Sequence, residues 1–362
     1  MSKNTCSHCG CTLEEGATYP FKGELYCADC LEEVTTFCHH CGTRIYRDSA
    51  EGDGRIVLCD HCYNNHYIAC DRCGRLIYNE DACYESDDDD VPYCHNCFQE
   101  IFRIHSYNYK PEPIFYGEGT RYFGVELEVD EGGEIGKNAK AVADVANAED
   151  EHIYCKHDGS LNDGFEIVTH PMTVDYHLNH MPWALMLQEL KSMGYRSHQT
   201  STCGLHVHVN RDSLGDTYEE QDETIGRILF FVEKHWEELV KFSRRTIRQL
   251  ERWAARYGLK ECPQEILKTA KGGYGRYTSV NLCNHDTIEF RFFRGTLKYN
   301  SVIAALQLVN QICNVAFCMS DAEIKDLSWT SFVAMCNQPE LIQYLKERCL
   351  YINEPVESEV DL

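Results

Sequence analysis

Three short segments of alternating polarity each place two chemically active side chains two residues apart. The pairs are Glu126 and Glu128, His206 and His208, and Glu289 and Arg291. Carboxylates bind hard divalent cations, imidazoles bind metals, and a guanidinium binds phosphate oxygens as a planar fork. Together these residues predict a centre that binds a metal ion and phosphate.

The elements that position these pairs are predicted to be strands. Phe123, Val125, Leu127 and Val129 alternate with the first glutamate pair, and the other two segments alternate in the same way. Side chains two residues apart lie on one face of a strand, so each segment offers one apolar and one polar face. Glu126 and Glu128 would repel each other unless a cation lay near them. We therefore expect the three polar faces to converge.

The periodicity of the remaining chain predicts the other elements. Strands are expected at 121–130, 152–168, 204–210, 276–283 and 286–294, and helices at 137–149, 176–193, 221–257, 301–319 and 329–349. Long helices between antiparallel strands indicate an α+β fold, with one antiparallel sheet and helices on one face. Three small zinc-binding β-hairpin modules are predicted to precede this domain.

Cysteines are concentrated at the start of the chain. Of the 22 cysteines, twelve form six C-x2-C pairs. The pairs are Cys6/Cys9, Cys27/Cys30, Cys38/Cys41, Cys59/Cys62, Cys70/Cys73 and Cys94/Cys97. The leading pairs recur every 32 residues, which is typical of a repeated module. The spacing predicts three four-cysteine zinc sites, and the modules resemble zinc-ribbon or LIM-type units.

Alternatives to this zinc assignment are weaker. Redox dithiols occur singly, and a disulfide framework requires an oxidising compartment. The spacing leaves open whether zinc ligands come from one module or are shared between modules. Cys11 and Cys83 lie outside the pattern and could replace a predicted ligand. Gly10, Gly42 and Gly74 each follow a leading pair, where a residue with positive φ would complete the turn.

Charge limits the partners that we expect. The chain carries 58 acidic against 34 basic residues, a net charge of −24, which disfavours nucleic acid as a partner. No run of 18 apolar residues is present, so no membrane partner is expected. The first residues show no apolar secretory signal, which favours a cytoplasmic location. Closed four-cysteine sites are structural, so we expect the zinc modules to bind a partner or substrate, or to pack on a neighbour.

The domain organisation follows from these patterns. Residues 1–105 should form three tandem modules, at about 6–30, 38–62 and 70–97. Prolines in 106–119 predict a linker. Residues 120–350 should form the catalytic domain, and residues 351–362 an acidic tail.

The motifs of the second domain occur in an order that resembles a known family. They are Gly124–Glu128, Asp158–Leu161 with Gly164–Thr169, Thr202–Val209, Arg276–Leu282 and Ile288–Thr296. Over about 120–300 the chain is similar to the amidoligase family, a branch of the carboxylate–amine ligases that includes glutamine synthetase and glutamate–cysteine ligase. The resemblance implies a glutamine synthetase-like fold and ATP-dependent formation of an amide or peptide bond through an acyl-phosphate.

The resemblance also implies roles for individual residues. Glu126, Glu128 and Glu289 would bind Mg²⁺, with Glu166 as a fourth carboxylate and His206 or His208 completing the site. Arg291 would hold the transferring phosphoryl group, and Arg276 and Asn281 would contribute to ATP binding. The substrates would be a carboxylate and an amine, and either can belong to a protein or peptide.

Residues 227–276 are basic within this acidic chain, with 12 Lys and Arg against 6 Asp and Glu. This stretch could attract ATP or an anionic substrate, and Arg244 and Arg245 are its candidate binding residues. A solvated helix face is an equal alternative for most of its members.

Two other functions remain open at this point. Histidines two apart also occur in zinc hydrolases, where they leave one position for activated water. That alternative gives no role to the Glu-x-Glu and Glu-x-Arg strands. A non-catalytic zinc-rich adaptor is the third possibility.

Overall fold

A computed structural model describes residues 4–14, 16–84, 90–101, 104–273 and 275–351. The chain divides into two compact units, Met1–Ile101 and Phe102–Leu362. Residues 352–362, which make up nearly all of the predicted acidic tail, lie outside the described residues.

In the first unit, each leading cysteine pair forms a tight turn that is closed by a glycine. Gly10, Gly42 and Gly74 have φ values of 74°, 71° and 69°. Each glycine amide donates to the carbonyl of the first cysteine of its turn, at 2.9, 2.9 and 2.8 Å. A side chain would be strained at such φ values, so the predicted role of these glycines is confirmed.

The second cysteine pair of each module lies at the start of a short helix. These helices are α1 (Ala28–Val34), α2 (Asp60–His66) and α3 (His95–Ile101). The described residues of this unit also form four antiparallel strand pairs. Their strands are β1 (Tyr19–Phe21), β2 (Glu24–Tyr26), β3 (Thr35–Phe37), β4 (Arg44–Tyr46), β5 (Glu51–Gly52), β6 (Val57–Leu58), β7 (Tyr67–Ala69) and β8 (Leu76–Tyr78). Helix and hairpin together bring the two cysteine pairs of a module to one point.

The second unit is built on one six-stranded sheet. Its strands are β9 (Phe123–Val129), β10 (Ile153–Lys156), β11 (Phe165–Thr169), β12 (Gly204–Asn210), β13 (Val280–Asn281) and β14 (Thr287–Arg294). They lie in the order β10-β11-β9-β12-β14-β13, and every neighbouring pair is antiparallel. The predicted combination of helices with an antiparallel sheet is confirmed.

Eleven helices complete the described part of this unit. They are α4 (Gly136–Ala146), α5 (Val174–Asn179), α6 (Trp183–Ser192), α7 (Tyr218–Lys234), α8 (Trp236–Ser243), α9 (Ile247–Trp253), α10 (Pro263–Ala270), α11 (Tyr299–Cys318), α12 (Asp321–Asp326), α13 (Trp329–Ala334) and α14 (Pro339–Glu347). Capping boxes begin α7 at Thr217 and α9 at Thr246, where side chain and backbone satisfy each other's free donors.

The core lies against the apolar face of the sheet. Val125, Leu127, Val207, Ile288 and Phe290 are all 1% exposed or less. Helix α11 packs on this core and is buried along most of its length. Within the described residues, α11 alone is long and apolar enough to cross a membrane, but 78% of its most apolar window is buried in the protein.

Gly164 allows β11 to approach β9 closely. A Cβ atom at Gly164 would lie 1.9 Å from the carbonyl oxygen of Val129, which is backbone and cannot rotate away. We expect Gly164→Ala to destabilise the second unit by roughly 1–3 kcal/mol, the usual range for overpacking. Scanning calorimetry should show a lower unfolding midpoint. Gly159→Ala is the matched control, since its Cβ would lie 3.8 Å from the nearest atom, and equal midpoints for the two variants would contradict the prediction.

Candidate active site

The strand register brings the predicted polar pairs onto one face of the sheet. His206 on β12 lies opposite Glu126 on β9, and His208 lies opposite Glu289 on β14. Glu128 lies opposite Glu166 on β11. Side chains directly opposite on neighbouring antiparallel strands are close enough to interact. The polar pairs thus form one continuous cluster, as the sequence predicted.

His206 lies at the centre of this cluster. Its Nδ1 atom lies 3.2 Å from Glu126 Oε2 and 3.4 Å from Glu289 Oε1, and its Nε2 atom lies 3.9 Å from Glu128 Oε1. His208 Nε2 lies 3.2 Å from Glu126 Oε1, in a direction that makes no hydrogen bond. Carboxylates from two strands therefore face the imidazoles of a third strand between them.

Cations flank the glutamates on both sides. Lys156 Nζ lies 3.0 Å from Glu166 Oε2, and both side chains are buried. Arg291 pairs with Glu289, which also accepts a hydrogen bond from Asn281 Nδ2 at 2.7 Å. Charge-assisted hydrogen bonds of this kind hold both partners in one orientation.

Arg245 approaches the cluster from outside the sheet. It is buried, and its Nη1 atom donates to the carbonyl oxygen of Arg291 at 2.8 Å. Its Nε atom has no hydrogen-bond partner in the described part of the chain. The amide of Gly204 donates to Glu128, and a Cβ at Gly204 would lie 2.7 Å from His206 Nε2. Glycine at this position leaves room for both the imidazole and the guanidinium.

The pKa values of the glutamates differ because their neighbours differ. Burial alone would raise the pKa of Glu126, but His208 and His206 hold it well below its usual range. Burial raises the pKa of Glu128 despite His206 and Arg245. Burial and the charge of Glu126 raise the pKa of Glu166 well above its usual range. Two carboxylates are thus costly to ionise here, and a bound cation would favour their charged forms.

Neighbouring carboxylates raise the pKa values of two basic groups in the cluster. Burial would lower the pKa of His208, but Glu126 and Glu289 raise it. Burial would likewise lower the pKa of Lys156, but Glu166 and Glu126 raise it above its usual value. The cluster therefore combines carboxylates with basic groups of the chain itself.

A cavity of about 690 Å³ opens over this face. Ten of the predicted site residues line it, and they are Glu126, Glu128, Glu166, His206, His208, Arg245, Arg276, Asn281, Glu289 and Arg291. Arg244 does not line it and instead lies at a second cavity. The adjacent arginines, which the sequence treated as a pair, therefore face different cavities.

Part of the cavity wall comes from the segment predicted as a linker. Tyr107, Lys110 and Phe115 line the cavity, and the amide of Tyr116 donates to the carbonyl oxygen of Pro171 at 3.0 Å. Tyr107 also accepts a hydrogen bond from Arg276. The two prolines of this segment gave no sign of this role, but its three aromatic residues between 107 and 115 were a usable signal.

Glu126, His206 and Glu289 form a group whose ligand atoms all lie within 4.8 Å of one another. Oxygen donors suit Mg²⁺, which usually takes one or two protein carboxylates and completes its shell with water and phosphate oxygens. The donor chemistry of this group therefore fits a divalent cation beside phosphate-binding cations.

Comparison with protein families identifies this domain. Residues 121–313 match the model of a family described as "putative amidoligase enzyme", and this match covers more than half of the chain. The chain belongs to the amidoligase family. The resemblance inferred from the sequence motifs is thereby confirmed.

Other comparisons with the amidoligase chain add less. No curated protein sequence matches it. It is similar to the crystal structure of a bifunctional glutathione synthetase from Pasteurella multocida, with 12% identity and a TM-score of 0.37. The likeness covers 63% of this chain and 46% of that protein, so it spans less than half of the synthetase. A score this low carries no argument about function.

Three groups of four cysteines lie in the described part of the first unit of the amidoligase chain. Two contain the four cysteines predicted for their modules: Cys38, Cys41, Cys59 and Cys62, and Cys70, Cys73, Cys94 and Cys97. A tetrahedral zinc ion with Zn–S bonds of about 2.3 Å holds its sulfurs about 3.8 Å apart. The Cys41–Cys59 and Cys73–Cys94 sulfurs lie 3.9 and 3.8 Å apart. These distances suit zinc. Each group consists of the two cysteine pairs of one module, so ligands are not shared between modules in these two cases.

The first module of the amidoligase chain differs from its predicted ligand set. Cys11 groups with Cys6, Cys9 and Cys27, whereas the predicted ligand Cys30 groups with His8 and Glu33. Cys30 remains close to Cys27, whose thiol raises the pKa of Cys30. Five thiols thus meet in this module, because Cys11 follows the glycine turn directly and points back to the centre.

Proposed function

We propose that the chain joins a carboxylate to an amine, forming an amide or peptide bond with ATP and Mg²⁺. Membership of the amidoligase family supports amide-bond formation. The observation that carries the finer proposal is one cavity in which four glutamates, His206 and His208 lie beside three cations, Lys156, Arg245 and Arg291. Phosphoryl transfer needs this combination, because metal-binding oxygens and fixed cations together balance the charge on the phosphate oxygens.

The proposed reaction has two steps. A carboxylate oxygen of the first substrate attacks the γ-phosphorus of ATP, so that an acyl-phosphate forms and ADP leaves. The amine nitrogen of the second substrate then attacks the acyl carbon, inorganic phosphate leaves, and the nitrogen loses a proton. ATP is thus consumed to ADP and phosphate for each amide bond formed.

In this proposal, different residues bind the metal ion and the phosphate groups. Glu126, Glu289 and His206 would hold Mg²⁺, with Glu128 and Glu166 beside them. Bound Mg²⁺ supplies positive charge against the phosphate oxygens. Arg291 is oriented by its pairing with Glu289 and would present its remaining N–H groups to the transferring phosphoryl group. A glutamine synthetase-like arrangement of the whole domain stays a prediction.

Arg245 would bind a phosphate oxygen or the substrate carboxylate. Its unpartnered Nε atom is buried beside Glu128, and an unsatisfied buried donor is costly. A bound oxyanion would satisfy this donor. The ATP-binding roles of Arg276 and Asn281 are proposed on their position in the same cavity.

The three-residue group of Glu126, His206 and Glu289 would also suit a zinc hydrolase. That alternative leaves Lys156, Arg245 and Arg291 without a chemical role, although all three line the cavity. The ligase is therefore the better supported function.

The zinc modules are proposed to bind a partner or a protein substrate. Residues 1–100 carry 7 basic and 19 acidic side chains. Charge complementarity between surfaces increases association rate and specificity, so a partner with a basic segment is expected.

The test is a screen of the full chain for ADP release with Mg·ATP and pairs of small carboxylates and amines. Release that requires both substrates, with a stoichiometric amide product, is the expected result. Mg·ATP alone should also stabilise the folded protein, by about 2.7 kcal/mol at a ligand concentration one hundred times the dissociation constant. Hydrolysis of amides by the zinc-loaded second unit, with no response to ATP, would favour the hydrolase instead.

A further inference from the structure

A second cavity, of about 370 Å³, lies in the second unit outside the candidate active site. It is bounded by Gly295 and Leu297 after the end of β14, by Arg244 after the end of α8, and by Ser301 in the first turn of α11. Among the residues that the structure describes, none lines both this cavity and the active-site cavity. It is therefore a separate site.

The charged side chains that line this cavity are all basic. Its lining includes five basic side chains, Lys191, His198, Arg244, Arg294 and Lys298, and among the lining residues that the structure describes there is no aspartate or glutamate. The whole chain carries 58 acidic against 34 basic residues, so such a cluster is unusual for this surface. A concave site lined by one charge concentrates ligands of the opposite charge.

Within the described residues, both arginines of this cavity lack an acidic partner. In the described ranges, no carboxylate oxygen lies within 4.0 Å of the guanidinium of Arg244 or Arg294. Burial and the charge of Arg244 lower the pKa of Arg294. Burial, Arg294 and Arg244 lower the pKa of His198. The cations therefore repel one another in the unliganded protein, and a bound anion would relieve that repulsion.

The start of α11 adds a second attraction for an anion. This helix is 20 residues long, and its first turn holds no acidic residue. The side chain of its N-cap, Lys298, makes no capping hydrogen bond, although the Lys298 amide donates to Thr296 Oγ1 at 3.1 Å. By contrast, α7, α9 and α12 each begin with a capping box. The Ser301 and Val302 N–H groups donate to the Lys298 carbonyl oxygen, so the Tyr299 and Asn300 N–H groups are the ones without a partner within the helix. The partial positive charge at this helix end favours a bound anion.

The backbone at this cavity is strained at two positions. Gln199 and Arg244, with φ values of 65° and 61°, both line it. Residues other than glycine rarely adopt this conformation, and it persists only where the surrounding structure fixes it. At Arg244 this conformation ends α8 and separates its side chain from that of Arg245 in the active site.

The floor of the cavity is apolar. Leu205, Phe242, Phe293, Leu297 and Ala305 line it together with Tyr344, and all of these side chains are buried. A ligand that combined an apolar body with a charged group would therefore fit better than a bare ion.

We infer that this cavity binds an organic oxyanion of at least two negative charges, with its charged group between Arg244, Arg294 and the N-terminus of α11 and its apolar body on Phe242 and Phe293. Phosphate monoesters and dicarboxylates share this chemistry. The site is independent of the proposed ligase reaction.

Titration calorimetry of the full chain at constant ionic strength tests this inference with phenyl phosphate, phthalate and inorganic phosphate as probes. Phenyl phosphate or phthalate should bind more tightly than inorganic phosphate, and whichever of the two binds more tightly identifies the source. Arg244→Asn suits the left-handed backbone and should weaken binding at least tenfold, as should Arg294→Gln. Arg244→Asn should also raise the unfolding midpoint of the unliganded protein, because it removes like charge.

Two controls separate this site from general charge effects and from the active site. Arg248→Gln removes one exposed positive charge that lines neither cavity, and it should leave binding within twofold of the wild type. Glu126→Gln should also leave it unchanged. The inference is overturned if no probe binds, if Arg244→Asn binds like the wild type, or if Arg248→Gln weakens binding as much as Arg244→Asn does.

Discussion

Glu126→Gln should lower amide formation by about a thousandfold, at the upper end of the effect of removing one electrostatic group from an active site. Glu126 contacts both histidines and belongs to the group that could hold the cation. Glutamine keeps the size of the side chain but removes its charge. Steady-state ADP release, with and without both substrates, measures the effect.

The same variant should lose the stabilisation that Mg·ATP gives the wild type. Glu237→Gln on α8 is the matched control, because Glu237 is exposed and does not line the cavity. It should keep both turnover and stabilisation. If Mg·ATP still stabilised the Glu126→Gln variant fully, Glu126 would not be a ligand of the cation.

The full chain should contain three zinc ions, and Cys38→Ser should remove one of them. Structural zinc contributes about 10–16 kcal/mol to the folding of small domains, so the second module should unfold without its ion. Elemental analysis of protein purified under reducing conditions gives the zinc content. Proton NMR shows whether the second module is folded. Cys83→Ser is the matched control, since Cys83 lies outside the three four-cysteine groups, and it should retain all three ions.

The first module offers a sharper form of this experiment. If Cys11 is the fourth ligand, as its grouping with Cys6, Cys9 and Cys27 indicates, Cys11→Ser should release zinc more readily than Cys30→Ser. If Cys30→Ser released zinc more readily than Cys11→Ser, the fourth ligand would be Cys30, as the 32-residue repeat predicts. Metal content near zero in fresh, reduced protein would reject zinc in all three modules.

The strands that carry the site were predictable from sequence because each is short and alternates around its polar pair. Phe292 and Phe293 break the alternation near the end of β14, where its pairing with β12 shifts register. The segment predicted at 204–210 forms β12 over the same residues, and the segment at 286–294 forms β14 from Thr287. The alternation decided both the strand and the face on which each histidine and glutamate lies. The convergence of these faces followed from residue types that are rare on a solvated surface.

Helix ends were less predictable, because tertiary packing decides them. The stretch 221–257, predicted as one helix, forms α7, α8 and α9, with breaks at His235 and at Arg244. Neither break has a glycine or proline to mark it. The predicted helix 176–193 is interrupted at Pro182, and the predicted strand 152–168 is interrupted by the loop before Gly164. A proline and a glycine marked these two breaks, but the prediction gave more weight to the hydrophobic periodicity.

Pairing between distant strands was also beyond the sequence. The sequence of a single segment does not indicate that Glu128 lies opposite Glu166, or that Glu166 in turn lies opposite Lys156 on the next strand. The cavity wall at 107–115 was missed for the same reason, since its contacts are with residues far along the chain. Arg244 and Arg245 appeared equivalent until the backbone at Arg244 separated them.

The position of His206 between glutamates of two neighbouring strands determines when, during synthesis of the polypeptide, the site can form. Glu126 and Glu289 are separated by 162 intervening residues, yet both lie within 3.4 Å of one imidazole nitrogen. During synthesis, the ribosome must therefore release β14 before this nitrogen can meet its second carboxylate. A nascent or truncated product that ends before Thr287 lacks Glu289 and Arg291, so it cannot assemble the group of Glu126, His206 and Glu289 that could hold a cation.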